Sequence, residues 1–289
     1  MTSLVNSVIK DSTALDYCIN KAIPDGSNLY YATLFDKGRN KAIIITLHAF
    51  LHELTDIIHE CSDPGIARIK LGWWQEEFER LFKHQPRHPI TKQLEECITL
   101  DQDLKLMFNS VIECFDRFLF IEQVDSLDTI LSLYASTSGE IWHQCGQLCH
   151  PTASVSLNHM RDMGSLYQFI HCLQQPNTYI NETRCIVPAT YINQSKLLNF
   201  RIDSEINTTN QSEIFTPLVL DLKTRLDGIY KHLKDNDGVY FQHGLILNRL
   251  ALKTCDELLR DGCNIFDTRI SLTPLRKLWI SWWTHFSLS

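Results

Sequence analysis

The sequence predicts an all-α chain, and three observations carry that expectation. Across long stretches of the 289 residues, apolar side chains recur at i, i+3, i+4 and i+7, the stripe of a buried helix face. Only 11 glycines and 9 prolines interrupt the pattern, so its breaks are few and sharp. At 44% hydrophobic and 21% charged, the chain can bury a full-sized core and lacks a disordered or fibrous composition.

The first two periodic stretches cover 46–60 and 66–82. Between them, CSDPG at 61–65 offers Ser62 or Asp63 as an N-cap and Pro64 as a first-turn residue. KHQPRHP at 83–89 ends the second helix, and another begins near Ile90. Further helices are expected over 101–123, 127–149, 154–174, 216–234, 245–261 and 274–286. The segment 175–213 is rich in Asn, Thr, Gln and Ser and has no long period. It reads as a connection carrying a short helix at 189–197. No repeat of solenoid period occurs, so the expectation is one domain spanning 1–289 with about ten helices.

The net charge of −7, with no Lys/Arg run, excludes a dedicated nucleic-acid binder, which needs a concentrated basic face. No apolar run reaches the ~18 residues of a membrane span; the longest, at 42–51, is broken by Thr46 and His48. The N-terminus lacks a basic start followed by an apolar stretch, so no secretory signal is expected and the cytoplasm is the expected location. The ten cysteines are then expected as free thiols. By the same logic, the Asn-x-Ser/Thr matches at Asn181, Asn193, Asn207 and Asn210 carry no glycosylation.

Several segments, read in order, resemble the squalene/phytoene synthase family, most closely its bacterial presqualene diphosphate synthases. The run from NLYYATLFDKGRNKAI through HELTDIIHECSDPGIARIKLGWWQEEF to QPRHPIT resembles the family's opening signature. ASTSGEI (135–141) resembles its "AG.VGE", TRCIVPATYI (183–192) its "GR.YLP", and RISLTPLRKLWISW (269–282) its closing "RISL...KLW.AW". The resemblance implies an isoprenoid-synthase-type helical bundle around a central apolar cavity. It also implies two Asp-rich motifs on facing helices, which hold Mg²⁺ and ionise allylic diphosphates. Such chemistry needs hard cations on carboxylates to stabilise a departing diphosphate.

The motifs themselves have changed. In the family the first reads R-x-x-D-D-x-x-D-E. Here HELTDIIHE puts His52 at the Arg and Thr55 and His59 at the two principal ligands, and of the motif's acids only Asp56 and Glu60 remain. The second reads Q-x-x-N-x-x-R-D-x-x-x-D. Here Gln168 is kept, while His171, Gln174, Gln175 and Tyr179 replace the Asn, the Arg and both Asp. Pro176 would also disturb a helix at this point. The resemblance further marks Tyr31, Arg39, His52, Gln168, His171 and Arg184 as ligand-binding positions.

Scaffold positions match while Mg²⁺ and diphosphate contacts are lost, and imidazole suits so hard an ion poorly. The resulting expectation is a pseudoenzyme: a lipid-binding or assembly-type factor with no cofactor and an isoprenoid or other lipid as ligand. It leaves room for a protein partner and for peripheral contact with the inner membrane. The alternative is an active head-to-head prenyltransferase joining two farnesyl diphosphates. That alternative needs Mg²⁺ on Asp56, Glu60 and a further carboxylate such as Glu53 or Asp162, with Arg39 and Arg184 on the diphosphate.

Two side-chain clusters invite a metal reading. His48, His52, Asp56 and His59 fall at i, i+4, i+8 and i+11, which predicts one helix face and a donor set for Zn²⁺, Fe or Ni. Hydrogen-bonded polar residues in a residual water-filled cavity are the favoured explanation, because no Glu-x-x-His signature at i, i+3 backs the metal. His143, Cys145, Cys149 and His150 form the other cluster; it lacks a second knuckle, so helix packing explains it. The aromatic tail LWISWWTHF is expected to pack on the domain, a membrane interface being the alternative.

Overall fold

The structure is a computed structural model and describes residues 13–61, 63–151, 157–176, 180–181, 184–194, 208–237, 241–267 and 270–288. The described residues form thirteen α-helices. These are α1 (Ala14–Ala22), α2 (Asn28–Ala32), α3 (Gly38–Glu60), α4 (Pro64–Leu81), α5 (Pro89–Cys97), α6 (Gln102–Phe118) and α7 (Leu127–Tyr134). They continue with α8 (Glu140–Cys149), α9 (Leu157–Leu173), α10 (Ala189–Gln194), α11 (Thr208–Asp237), α12 (Gln242–Arg260) and α13 (Pro274–Leu288). The only described strands are β1 (Ile180–Asn181) and β2 (Arg184–Cys185), an antiparallel pair in register Ile180 to Cys185 and Asn181 to Arg184.

Helix starts follow the local chemistry. Asp63 accepts from the amides of Gly65 and Ile66 ahead of Pro64, which fixes the first turn of α4. Asp101 caps α6 and Ser126 caps α7 in the same way. Thr13 and Asp16 close a reciprocal capping box on α1. The 127–149 stretch is continuous but carries a π-helical turn at Ala135–Gly139 between α7 and α8.

Several bounds differ from the sequence expectation. The short helices α1 and α2 stand outside the periodic stretches, and α3 begins eight residues before 46. Helix α11 begins at Thr208, so Pro217 lies inside it. A tertiary anchor holds the turns before the proline. Gln211 is fully buried, donates to Asp267 Oδ2 at 3.1 Å and accepts from the Phe266 amide at 3.2 Å.

Helix α3 is the central element and packs against α1, α4, α5, α6 and α8. Its Phe50 meets Trp74, Phe78 and Phe108 with ring centroids 5.0–5.4 Å apart, an edge-to-face aromatic core. Helix α9 packs on α7, α8, α11 and α12. Helix α8 therefore bridges α3 and α9, and a cavity opens between those two helices. Among the described residues, α3 is the one helix whose length and mean hydropathy (1.2 over an 18-residue window) would suit a membrane span. Yet 67% of that window is buried inside the protein, which makes α3 a core helix.

The tail departs from its expected packing. On α13, Ser281 and Thr284 face inward and bond back to the carbonyls of Lys277 and Ile280. Trp279, Trp283 and Phe286 stand 61%, 57% and 56% exposed. Small hydroxyl side chains let α13 lie close to α12, and that packing turns the bulky apolar face outward. The nine described cysteines are all free thiols.

Candidate functional site

The cavity between α3 and α9 has a volume of about 350 Å³, at the low end of the ~300–1,000 Å³ typical of small-molecule sites. From α3 it receives His48 and His52; from α9 and the turn after it, Gln168, His171, Gln174 and Gln175. Lys277 at the start of α13 closes another side. Helix α9 ends at Leu173, so Gln174 and Gln175 lie in a turn ahead of Pro176.

Most of these groups are tied into the wall. His52 Nδ1 lies 3.2 Å from the Lys21 carbonyl, and Gln174 Nε2 donates to the Ile270 carbonyl at 2.9 Å. Lys277 Nζ donates to the Gly26 carbonyl at 2.8 Å. Gln175 Nε2 lies 3.3 Å from His171 Nε2, while His171 Nδ1 is buried without a partner. Burial pushes His171 down to about 4 and lowers His52 as well, so both rings are neutral at pH 7. The resulting surface is mixed: neutral imidazoles and amides, one ammonium, and apolar walls from Leu51, Trp142 and Leu247. The histidines and glutamines thus stand among apolar walls.

The remaining carboxylates of the first motif lie elsewhere. Asp56 and Glu60 line a separate groove with Lys21, Glu53, Trp73 and His88. There Lys21 Nζ sits 2.6 Å from Asp56 and 2.9 Å from Glu53, and Tyr17 donates to Glu53 at 2.7 Å. Thr55 and His59 line a third, much smaller pocket of about 20 Å³ under Phe115, Phe118 and Tyr134. Asp162 lies on the opposite side of α9, beside His159 and Arg225. Among the described residues, Asp25 is the only acid that lines the main cavity. That donor set does not fit Mg²⁺, which demands several hard oxygen ligands in near-octahedral array.

The proposed His48–His52–Asp56–His59 face is likewise divided. Only His48 and His52 reach the cavity; Asp56 turns into the Lys21 groove and His59 into the small pocket. At 100° per residue, eight residues rotate the side chain ~80° from its start, enough to leave the stripe. His59 stays near the stripe but lies three turns further along the helix.

Other sequence-marked positions serve the scaffold. Arg39 Nε donates to the Cys97 carbonyl at 2.8 Å and so holds the end of α5. Tyr31 is buried edge-on against Tyr30, with Lys277 Nζ 6.0 Å from its ring. In the second metal cluster, His143 pairs with Glu140 and the Cys149 thiol faces the Asn40 carbonyl. Tyr179 lies outside the described residues, and only the backbone of Arg184, in β2, is described.

One grouping escaped sequence reasoning. His48 of α3, Cys145 of α8 and His243 of α12 bring their ligand atoms within 4.8 Å of one another, all three buried. No local motif links positions so far apart on three helices, and nothing in QHGLI around His243 marks it out.

The squalene/phytoene synthase family model matches residues 24–276. The chain belongs to the squalene/phytoene synthase family. Two solved structures share the fold of this family member. One is the squalene synthase HpnC from Alicyclobacillus acidocaldarius, at 16% identity and a TM-score of 0.70, covering 87% of this chain and 95% of that one. The other is a dehydrosqualene synthase in complex with ligand, at 11% identity and a TM-score of 0.79, covering 95% and 96%. No curated protein sequence matches the chain. The fold is therefore that of an isoprenoid-synthase-type bundle, as the resemblance implied.

Proposed function

We propose that this family member binds a lipid or isoprenoid ligand in the α3–α9 cavity without Mg²⁺-dependent diphosphate ionisation, as a binding or assembly-type factor. The observation that carries the reading is where the acids sit. At the motif positions the cavity receives His52, Gln168, His171, Gln174 and Gln175, while Asp56 is ion-paired to Lys21 in another groove. A departing diphosphate needs several positive charges on carboxylates; among the described residues this lining offers one cation, Lys277, and one acid, Asp25, beside neutral imidazoles and amides. Such a wall suits a head group that is neutral or singly anionic, with the apolar side chains taking part of a hydrocarbon chain.

Supply of that ligand from a bilayer surface is part of the same reading. The exposed face of α13 carries Trp279, Trp282, Trp283 and Phe286, and tryptophan favours the membrane interface. Lys277 of the same helix lines the cavity, while the aromatic residues point the opposite way round α13, leaving them free to meet a bilayer as the cavity side packs inward.

The test is direct. The purified chain is incubated with labelled farnesyl diphosphate and Mg²⁺, with and without NADPH, and products are read by mass spectrometry. In parallel, native mass spectrometry reads any ligand retained. No product, together with a lipid-sized adduct released on denaturation, is the expected result. Presqualene diphosphate or squalene formed by the wild type and lost in Asp56→Ala would restore the prenyltransferase reading.

A further inference from the structure

Three helices place two imidazoles and a thiol together in the interior. His48 is 4% exposed, His243 3% and Cys145 0%. The Nε2 atoms of both histidines are buried with no hydrogen-bond partner. A buried polar atom left unpaired costs ~1–3 kcal/mol, and native interiors hold few such atoms. Two of them beside one thiol, on side chains from separate helices, need a partner that the chain itself does not supply.

The donor set identifies the class of partner. Two neutral imidazoles and a thiolate are borderline-soft ligands, suited to zinc and copper ions and unsuited to Mg²⁺ or Ca²⁺. Bonds of ~2.0–2.3 Å to a shared ion place ligand atoms about 3.5 Å apart. The present separations, within 4.8 Å, need only small rotamer adjustments to reach that spacing. Burial keeps both rings in the neutral form that binds metal, His243 being pushed down to about 3. His48 also lines the main cavity, as does Trp142, whose ring lies 6.3 Å from that of His48.

We propose that His48, His243 and Cys145 form a three-ligand site for a thiophilic transition-metal ion of the zinc and copper class, with a fourth position facing the cavity. On binding, the Cys145 thiol releases its proton to buffer, both imidazoles bind as neutral rings, and no oxidation state changes. The ligands then carry one negative charge. Cu⁺ is neutralised by them, whereas Zn²⁺ keeps one positive charge for an anionic group reaching in from the cavity. Burial, with Cys149 and Asp36, raises the Cys145 thiol well above its ordinary value, so its proton is lost only in exchange for the metal.

The experiment uses the whole wild-type chain, stripped with a chelator, and repeats the titration in a His159→Gln background that removes the His159–His232 stack as a competing site. The chain is titrated with Co²⁺ as a coloured zinc probe and, separately, with Cu⁺ in competition with a Cu⁺ chelator. One equivalent per chain is expected. With Co²⁺ it brings a near-ultraviolet thiolate-to-metal charge-transfer band, displaced by Zn²⁺ and absent in Cys145→Ser; His243→Gln should weaken binding at least tenfold. Binding in the Cu⁺ arm alone, abolished by Cys145→Ser, assigns the site to copper. Failure to bind either metal, or a metal bound without the thiolate band or indifferent to Cys145→Ser, overturns the proposal. The wild-type titration stands even if a variant fails to fold. No lipid enters the measurement, so its failure leaves the ligand reading untouched.

Discussion

The contact of α8 with α9 rests on glycine, and a single methyl group tests it. Gly139 closes the π-helical turn before α8. A Cβ there would strike the Arg161 carbonyl oxygen of α9 and lie 3.2 Å from its carbonyl carbon. Both are backbone atoms and cannot rotate aside. Opposite it, a Cβ on Gly164 would lie 2.7 Å from Trp142 Cγ and 3.0 Å from Gly139 Cα. Gly139→Ala gains ~1 kcal/mol of helix propensity but overpacks a backbone contact, at ~1–3 kcal/mol or more. Because the struck atoms are backbone, the cost falls at the upper end, ~2–3 kcal/mol, and the net loss is about 1–2 kcal/mol. Gly228 in α11 and Gly72 in α4 are the controls. Neither has a neighbour within 4 Å of a built Cβ, so Ala there should stabilise by ~0.5–1 kcal/mol. Urea unfolding at pH 7 should give opposite signs, separated by about 2–3 kcal/mol. Gly139→Ala as stable as wild type would refute the close-approach argument, and with it the packing that positions Trp142 against the cavity.

Three further outcomes follow from the same geometry. Glu77 is fully buried; burial alone would raise its pKa, but the His88 amide, Thr91, Arg80 and the Arg87 amide together hold it down to about 2. A folded pKa below the ordinary 4.5 means stability present above pH 4.5 and lost as pH falls towards 2. The share is on the order of 3 kcal/mol, read as the difference in urea unfolding between wild type and Glu77→Gln from pH 6 down to 3; a difference constant with pH would sink it. His171, lowered by burial to about 4, works in the same direction over a higher window. Its stability is present above 6.5 and falls as pH drops through about 4, so wild type should lose ~2–3 kcal/mol more than His171→Asn between pH 7 and 4.5. Finally, Trp279→Ser with Trp283→Ser should abolish flotation with phosphatidylcholine vesicles while leaving thermal stability nearly unchanged, since both side chains are exposed. Vesicle binding that survives the double change would remove α13 as the membrane contact.

Helix existence was legible where the signal is local. Asp63 and Pro64 announce α4, and Ser126 and Asp101 stand where caps are needed. The early turns of α3 carry no such signal, because RNKAIII runs from polar to uniformly apolar without a period, as a helix buried on several faces does. The start of α11 was misplaced because Pro217 marks a helix start in local terms, whereas Gln211 anchors the preceding turns through tertiary hydrogen bonds no local rule contains. In the site, the resemblance located Gln168, His171, Gln174 and Gln175, and the structure brings all four to one cavity with His52. Spacing along α3 was less informative, since a step of four residues drifts round the helix and parts Asp56 from His48. The His48–Cys145–His243 grouping is purely tertiary.

The positions that match the family bear on how the likeness should be weighed. Arg39 holds the last carbonyl of α5, Asp63 caps α4, and Trp74 packs on Phe50. His88 Nδ1 accepts from the Ile90 amide at the start of α5, while its own amide is one of the donors to Glu77. Gly139 admits the backbone of α9. Each is needed to build the bundle whether or not the cavity performs chemistry, so their retention is evidence about folding and is silent about turnover. Of the motif positions that face the cavity, His171 and Gln175 stand where the family has Asn and Asp, His52 and Gln174 where it has Arg, and Gln168 is unchanged. Thr55, in its separate small pocket, donates its hydroxyl to the Leu51 carbonyl at 2.8 Å, a bond internal to its own helix. Packing alone therefore accounts for the retained positions, and the proposed binding role rests on the neutral imidazoles and amides that line the cavity at motif positions.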